Sequence, residues 1–476
     1  MFTQTLALLA LYAHTALAVQ PLVIQGSNFV NSVTGNRYQI LGVAYQPGGE
    51  AGYKPQSGED PLSNGDVCLR DAALMQRLGV NAIRVYNVSP DINHDECASI
   101  FNAVGIYMLL DVNAPFSGES INRGDPESSY TASYLNRTFA VVEAFKNYPN
   151  TLLFFAGNEV INDVPTGANI PPYMRAVTRD LKNYIAKHST RSIPVGYSAA
   201  DVRDTLIDTW NYLQCTTTGD DSDPSRVDLF ALNSYSWCGD STFQTSSYDT
   251  LISDFQSTSV PVFFSEYGCN KPSPRIFTEV PVLYGPLMTP VMSGGLVYEF
   301  SQETSNYGLV SIASNGSLQL RQDYDALQGQ YNSLNLTAIQ GSRAENTSVT
   351  PPTCNSTLIL ESGFNNNFTI PETPSGAQDI INNGVSSSNV GKLVPVTNTK
   401  VSQVVQGTNG QTMDLSITVL ADDQSNTPSG QTSSTAPTTT TSSAPAATTS
   451  KKSGATNLKI TSCALLAVGF LAVILL

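Results

Sequence analysis

Histidine is almost missing: the chain of 476 residues has three, His14, His94 and His188. His14 falls in the expected leader described below, and the other two lie in helix-like segments. Neither a histidine metal cluster nor a Ser-His-Asp set can be assembled from them, and GxSxG does not occur. Basic residues are also few, 24 Lys and Arg against 39 Asp and Glu, giving a formal net charge of -15. They form no patch, which excludes nucleic acid as a partner and leaves room for a neutral polymer. No two of the seven cysteines are spaced as CxxC, so neither a zinc site nor a thioredoxin-like site is supported. No metal and no cofactor is expected.

The two ends of the chain are apolar. Residues 1–18 close on Ala16-Leu17-Ala18, which fits a signal-peptidase site with the mature chain starting near Val19, although Lys and Arg are absent from the first residues. A buried N-terminal helix is the alternative. At the other end, residues 460–476 are almost uninterrupted Ala, Leu, Val, Ile and Phe, and small residues Ser453-Gly454-Ala455 precede them. Small residues, a short polar spacer and an apolar tail describe a GPI-anchor signal, here 454–476, with attachment between Ser450 and Asn457. A transmembrane helix is the rival; it would carry basic residues beyond it, and none follow. The expected place is therefore the outer face of the plasma membrane and the cell wall.

Removal of the tail takes Cys463 with it and leaves six cysteines, an even number that reads as three disulfides with fifteen possible pairings. Seven Asn-x-Ser/Thr sequons, at Asn87, Asn136, Asn315, Asn335, Asn346, Asn355 and Asn367, suit a glycosylated surface. Three regimes lie between the ends. Residues 19–325 have globular composition; 326–423 are rich in Asn, Ser and Thr; 424–453 are nearly all Ser, Thr, Pro, Ala and Gly, a stalk that cannot bury a core. Apolar and polar residues alternate through 392–420, which predicts a few strands in a small appendage.

The globular part repeats one pattern. Apolar runs at 39–45, 82–88, 106–112, 152–156, 193–197, 229–233, 260–264 and 295–300 read as buried parallel strands. Helix-like segments, among them 67–78, 134–146, 173–188 and 277–292, lie between most of them. Eight such units in about 300 residues predict a (β/α)8 TIM barrel. An open doubly wound sheet would carry a phosphate-type glycine loop after its first strand, and Tyr45-Gln46-Pro47-Gly48-Gly49 is not one.

Barrel chemistry sits where strands run into the following loops. The fourth strand runs into Asn158-Glu159 and the seventh into Ser265-Glu266. Low local dielectric at the first of these can keep a carboxyl protonated for acid work. Two carboxyls facing each other across a glycosidic bond are what sugar-bond cleavage needs, and an amide at Asn158 can hold a sugar hydroxyl beside them. Tyr45, Tyr86, Tyr235, Tyr267 and Tyr298 also fall at strand ends, either to stack on sugar faces or to pack the rim. Arg84, inward on the second strand, either orients Glu266 and holds its pKa low or forms a structural ion pair.

The stretches GVAYQPG (42–48), NAIRVY (81–86), LDVN (110–113), GNEV (157–160), SAAD (198–201), FSEYGC (264–269) and GLVYE (295–299) resemble the fungal GPI-anchored β-1,3-glucanosyltransferases of the Gas/Gel type, glycoside hydrolase family 72. The resemblance implies that Glu159 is the acid/base and Glu266 the nucleophile. It implies that Gln46, Tyr86, Asn113 with its loop through Ser120 to Ile121, Asn158, Tyr235 and Tyr298 line the donor side, and that Asp201 faces the acceptor. Arg203 stands near where the family places an acceptor-side arginine. The implied disulfides are Cys68–Cys97, Cys215–Cys354 and Cys238–Cys269. With no mature cysteine beyond Cys354, the chain resembles members lacking the cysteine-rich module.

The implied reaction is retaining transfer between β-1,3-glucan chains by an enzyme expected to act as a monomer. Retention calls for carboxyls about 5–5.5 Å apart. A hydrolytic endo-β-1,3-glucanase and a non-catalytic wall-anchored glucan-binding protein are the rivals.

Overall fold

The computed structural model describes residues 19–340, 349–386 and 389–428. The expected signal peptide, most of the stalk and the C-terminal signal lie outside these residues. Three short strands, β1 (Leu22–Gln25), β2 (Asn28–Asn31) and β3 (Arg37–Tyr38), pair antiparallel ahead of the barrel. Leu22, Phe29 and Tyr38 from this sheet pack with Ala82, Tyr107, Leu152, Leu229 and Phe263, so the sheet plugs the barrel floor.

Eight parallel strands then close on themselves: β4 (Ile40–Ala44), β5 (Ala82–Val85), β6 (Tyr107–Asp111), β7 (Thr151–Asn158), β8 (Val195–Ala200), β9 (Leu229–Ser234), β10 (Val262–Tyr267) and β11 (Met292–Val297). Each of the eight expected runs contributes one strand. They are continuous apolar runs because the inner face meets the barrel interior and the outer face meets helices. The seam joins β11 to β4, with Gly294 opposite Ile40. Gly294 has φ +91°, and a Cβ there would sit 2.2 Å from the Ile40 carbonyl oxygen, so only glycine lets the two strands meet.

The helices 65–78, 132–145 and 171–188 match their expected segments, and Asn64 and Thr131 cap the first two through their side chains. The segment 277–292 differs: only Val280–Leu283 is helical. Pro281, Pro286 and Pro290 remove the amide donors that a longer helix would use.

Beyond the barrel, β12 (Val310–Ile312) and β13 (Leu318–Leu320) join β14 (Val405–Gln406) and β15 (Thr412–Met413) in one sheet, with β13 and β14 parallel. These last two are the strands found within 392–420. The rest of that stretch runs along the barrel's outer helices: Val394 N donates to Ser99 Oγ at 2.9 Å and Leu420 N to the Ala103 carbonyl at 2.9 Å. Residues 399–401 also run antiparallel to 415–417, with Val401 N donating to the Leu415 carbonyl and Ile417 N to the Thr399 carbonyl, each at 2.9 Å. The described chain ends near Gly79 and Gly105, where Asn426 Nδ2 donates to the Val80 carbonyl at 2.8 Å. Both turns precede barrel strands, so this end lies on the face opposite the barrel mouth.

Disulfides join Cys68 to Cys97, Cys215 to Cys354 and Cys238 to Cys269. The second ties the segment after the barrel to the wall of the barrel; the third ties the loop after β9 to the loop after β10. Among the described residues no helix is long and apolar enough to cross a membrane.

Candidate active site

Both glutamates sit where a strand loses its regular register. Pairing of β7 with β8 shifts between Phe155 and Gly157, just before Asn158 and Glu159. Pairing of β10 with β9 shifts between Phe264 and Glu266. Such irregularities re-aim side chains at a sheet's end. Glu159 also adopts φ +48°, a left-handed conformation uncommon outside glycine, and its N–H is held by the Ser198 carbonyl at 2.8 Å.

Glu266 is buried and heavily partnered. Tyr235 Oη donates to its Oε2 at 2.7 Å, Tyr86 Oη to its Oε1 at 2.9 Å, and Arg84 Nη1 lies 3.3 Å from Oε1. Burial pushes its carboxyl above the usual range, opposed by Arg84 and the two phenols. The expectation that Arg84 holds this pKa low is therefore corrected: Arg84 lowers it, but desolvation outweighs Arg84. Arg84 is also fully buried in a two-bond pair with Asp111, at 2.9 and 3.1 Å, so the foreseen structural ion pair is present alongside its contact with Glu266. Burial, followed by the nearby Glu266 charge, raises the Tyr86 and Tyr235 phenols well above their usual range and keeps them as donors.

One amide links the two carboxyl groups. Asn233 Nδ2 donates to Glu159 Oε1 at 2.9 Å, while its Oδ1 lies 3.4 Å from the same Arg84 Nη1 that reaches Glu266. Glu159 and Glu266 thus converge at one rim from β7 and β10.

Around them the remaining expected residues are arranged on two sides. Tyr86, Asn113, Ser120 and Asn158 line a cleft of about 380 Å³, with Glu50, Asp111 and Arg123. Asn158 Oδ1 accepts from Ser198 Oγ at 2.8 Å and from Asn233 Nδ2 at 3.1 Å. Asn113 is more committed to protein, with Nδ2 on the Ala156 carbonyl and Oδ1 on Tyr134 Oη. Gln46 accepts from the Asn87 backbone at 3.2 Å and so holds the cleft wall. Tyr298 packs edge-on to both Tyr86 and Tyr235, at 6.5 and 6.2 Å between ring centres. On the β8 side, Asp201 accepts from Ser234 Oγ at 2.7 Å and is paired by half-exposed Arg203 at 2.6 Å.

Tyr45 and Tyr267 do not reach the mouth. Both are fully buried, with hydroxyls on Asp71 and Tyr331. Side chains alternate along a strand, so Glu266 inward puts Tyr267 outward, against helices. The residues that sequence reasoning passed over are Asn233, Asp111, Ser198 and Ser265. Asn233 and Asp111 end apolar strands as Glu159 does, and that was the available signal. Among the described residues, no cluster of His, Cys, Asp or Glu could hold a metal ion.

Residues 11–335 match the family described as glucanosyltransferase, glycoside hydrolase family 72. The 1,3-beta-glucanosyltransferase gel2 of Aspergillus fumigatus is 54% identical over 436 residues, covering 91% of this chain and 90% of that one. The probable 1,3-beta-glucanosyltransferase GAS3 of Saccharomyces cerevisiae is 46% identical over 82% of this chain and 78% of its own. Among solved structures, a mutant of Saccharomyces cerevisiae Gas2p in complex with laminaritetraose and laminaripentaose covers 75% of each chain, with a TM-score of 0.65 and 34% identity. The chain belongs to the glucanosyltransferase family, glycoside hydrolase family 72.

Proposed function

We infer that this protein is a retaining β-1,3-glucanosyltransferase, which cleaves an internal linkage of one β-1,3-glucan and passes the new reducing end to the non-reducing end of another. The observation that carries the reading is the pair Glu159 and Glu266, joined through Asn233 and Arg84 at the mouth of a barrel of this family. Glu266 attacks the anomeric carbon. Arg84, Tyr86 and Tyr235 stabilise it as the carboxylate until then. Glu159 gives its proton to the departing oxygen, and a glycosyl ester of Glu266 remains. Glu159, now a carboxylate, takes the proton of the incoming sugar hydroxyl, and the ester is broken with net retention. The cleft bearing Tyr86, Asn113, Ser120 and Asn158 holds the donor, Gln46 and Tyr298 shape its walls, and Asp201 with Arg203 faces the acceptor.

Sugar must outcompete water at ~55 M for the glycosyl ester, so the acceptor side has to bind well and exclude solvent. Incubation with a laminari-oligosaccharide of a single length tests this: products longer than the substrate are expected. Shorter products alone would make the protein a hydrolytic endo-glucanase. Glu159→Gln and Glu266→Gln should each abolish turnover while oligosaccharide binding survives; retained turnover in either would refute the assignment.

The same reading includes a GPI anchor at the outer face of the plasma membrane, cell-wall remodelling as the task, a monomer, and membership of the subgroup without the cysteine-rich module. The apolar C-terminal run and the small residues before it support the anchor, and the absence of cysteines between Cys354 and Cys463 supports the subgroup.

A further inference from the structure

Asn233, at the inner end of β9, is buried beneath the two glutamates and saturated by protein. Its Oδ1 faces Ser265 Oγ at 2.8 Å, Ser198 Oγ at 3.2 Å and Arg84 Nη1 at 3.4 Å. Arginine carries no acceptor, so the end of the amide that meets it is the oxygen. The NH2 is thereby turned the other way, and its two hydrogens go to Asn158 Oδ1 at 3.1 Å and Glu159 Oε1 at 2.9 Å. Nothing is left over for a sugar. Any effect of Asn233 on the reaction must pass through the side chains it holds.

We propose that Asn233 is a positioning residue for Glu159: its N–H occupies Oε1 and leaves Oε2 as the oxygen that carries and recovers the catalytic proton. The proposal rests on the reading of Glu159 as acid/base. In the first step the proton moves from Oε2 to the glycosidic oxygen as that carbon–oxygen bond breaks and Glu266 bonds to the anomeric carbon. In the second step the acceptor hydroxyl returns a proton to Oε2 as its oxygen bonds to the anomeric carbon and the ester to Glu266 breaks, releasing the Glu266 carboxylate. A donor on Oε1 favours the carboxylate, so it eases proton release first and keeps the base ready afterwards. The serine pair Ser198 and Ser265, 2.8 Å apart, holds the amide from below in the orientation that does this.

Glu266 from β10 and the neutral phenol of Tyr197 from β8 interact with Glu159, and Arg84 from β5 reaches it through Asn233. Asn233 is neutral and does not titrate, so its removal changes no charge in the site. That makes its effect separable.

The test is the pH profile of kcat/KM on one laminari-oligosaccharide for the wild type, Asn233→Ala, Ser265→Ala and Glu159→Gln. The alkaline limb reports loss of the acid's proton. Without the N–H on Oε1, the carboxylate form loses a donor that favours it. Asn233→Ala is expected to lose about tenfold or more in rate and to move that limb up by about half a pH unit or more. Ser265→Ala keeps the amide but loosens it, and should move the limb the same way by less; it takes over as the deciding variant should Asn233→Ala not fold. An unmoved alkaline limb in the deciding variant overturns the proposal, whatever the rate. Turnover retained by Glu159→Gln overturns the acid/base reading itself, and the two failures are told apart by which variant produces them.

Discussion

The hydroxyl of Tyr235 donates to Glu266 Oε2 at 2.7 Å, on the carboxyl oxygen that Arg84 and Tyr86 leave free. The Glu266 carboxyl is thus gripped at both oxygens, as a nucleophile in the proposed role would be. Burial works against its ionisation, and these three donors work for it.

Removing one donor should therefore show in the acid limb of the pH profile. Glu266 must be ionised to attack, and a lost hydrogen bond lets it hold its proton to higher pH. Tyr235→Phe is expected to move the acid limb of kcat/KM upward and to lower the plateau by roughly 10- to 100-fold, the worth of a hydrogen bond to a charged group. An acid limb in the wild-type position would mean that Tyr235 serves packing alone.

Arg84 compensates Asp111 and Glu266 inside the barrel with its side chain fully out of solvent. Burial pushes Asp111 up too, and Arg84 opposes this only in part. Arg84→Met leaves two buried carboxyls without their cation and should cost about 3–5 kcal/mol. Chemical denaturation of the two proteins would measure the difference; a loss of activity with unchanged stability would contradict this account.

The disulfide between Cys215 and Cys354 closes a loop with a sequence separation of 139 residues. Arg175 Nη1 lies 3.3 Å from both sulfurs and also pairs, through Nη2, with Asp223. Replacing both cysteines by alanine should cost about 2–5 kcal/mol, since a cross-link over a long loop restricts the unfolded chain most. Melting of the double variant would read this out, with activity per folded molecule preserved, because the bridge lies away from the glutamates.

Glu279 is buried beside Tyr248 and Tyr267, and burial pushes its carboxyl up to about 7. The folded protein binds that proton more tightly than an unfolded chain with the ordinary value near 4.5. This group therefore contributes stability at low pH that is lost as pH rises from about 4.5 through about 7. Glu299, also pushed up to about 7 by burial, adds in the same direction. Glu279→Gln should flatten the fall in melting temperature over that window; an unchanged slope would show that Glu279 does not set it.

The barrel was legible because eight apolar runs at regular spacing leave few other ways to bury both faces of a sheet. The two glutamates were legible because a charge directly after such a run must lie at the mouth. Asn233 obeys the same rule, yet a neutral amide at a strand end reads as ordinary, and only its partners Glu159, Ser265 and Arg84 reveal what it does. Tyr267 failed the opposite way: its place in the chain fits the mouth, but the two-residue alternation set by Glu266 sends it into the core. The segment 277–292 kept its apolar content while its three prolines, which the periodicity does not weigh, forbade the helix. Residues 392–420 alternate because short antiparallel pairing, 399–401 with 415–417 and β14 with β15, is combined with contacts on the barrel's helices. Their packing partners lie hundreds of positions away, and pattern alone cannot name them.

The chain's last described residues, 424–428, lie at the turns around Gly79 and Gly105, beneath the barrel. Glu159 and Glu266 stand at the other end of the same strands, and none of 424–428 lines the cleft beside them. The barrel thus divides its two ends between holding the chain and doing the chemistry, so changes in this closing strap leave the mouth uncovered.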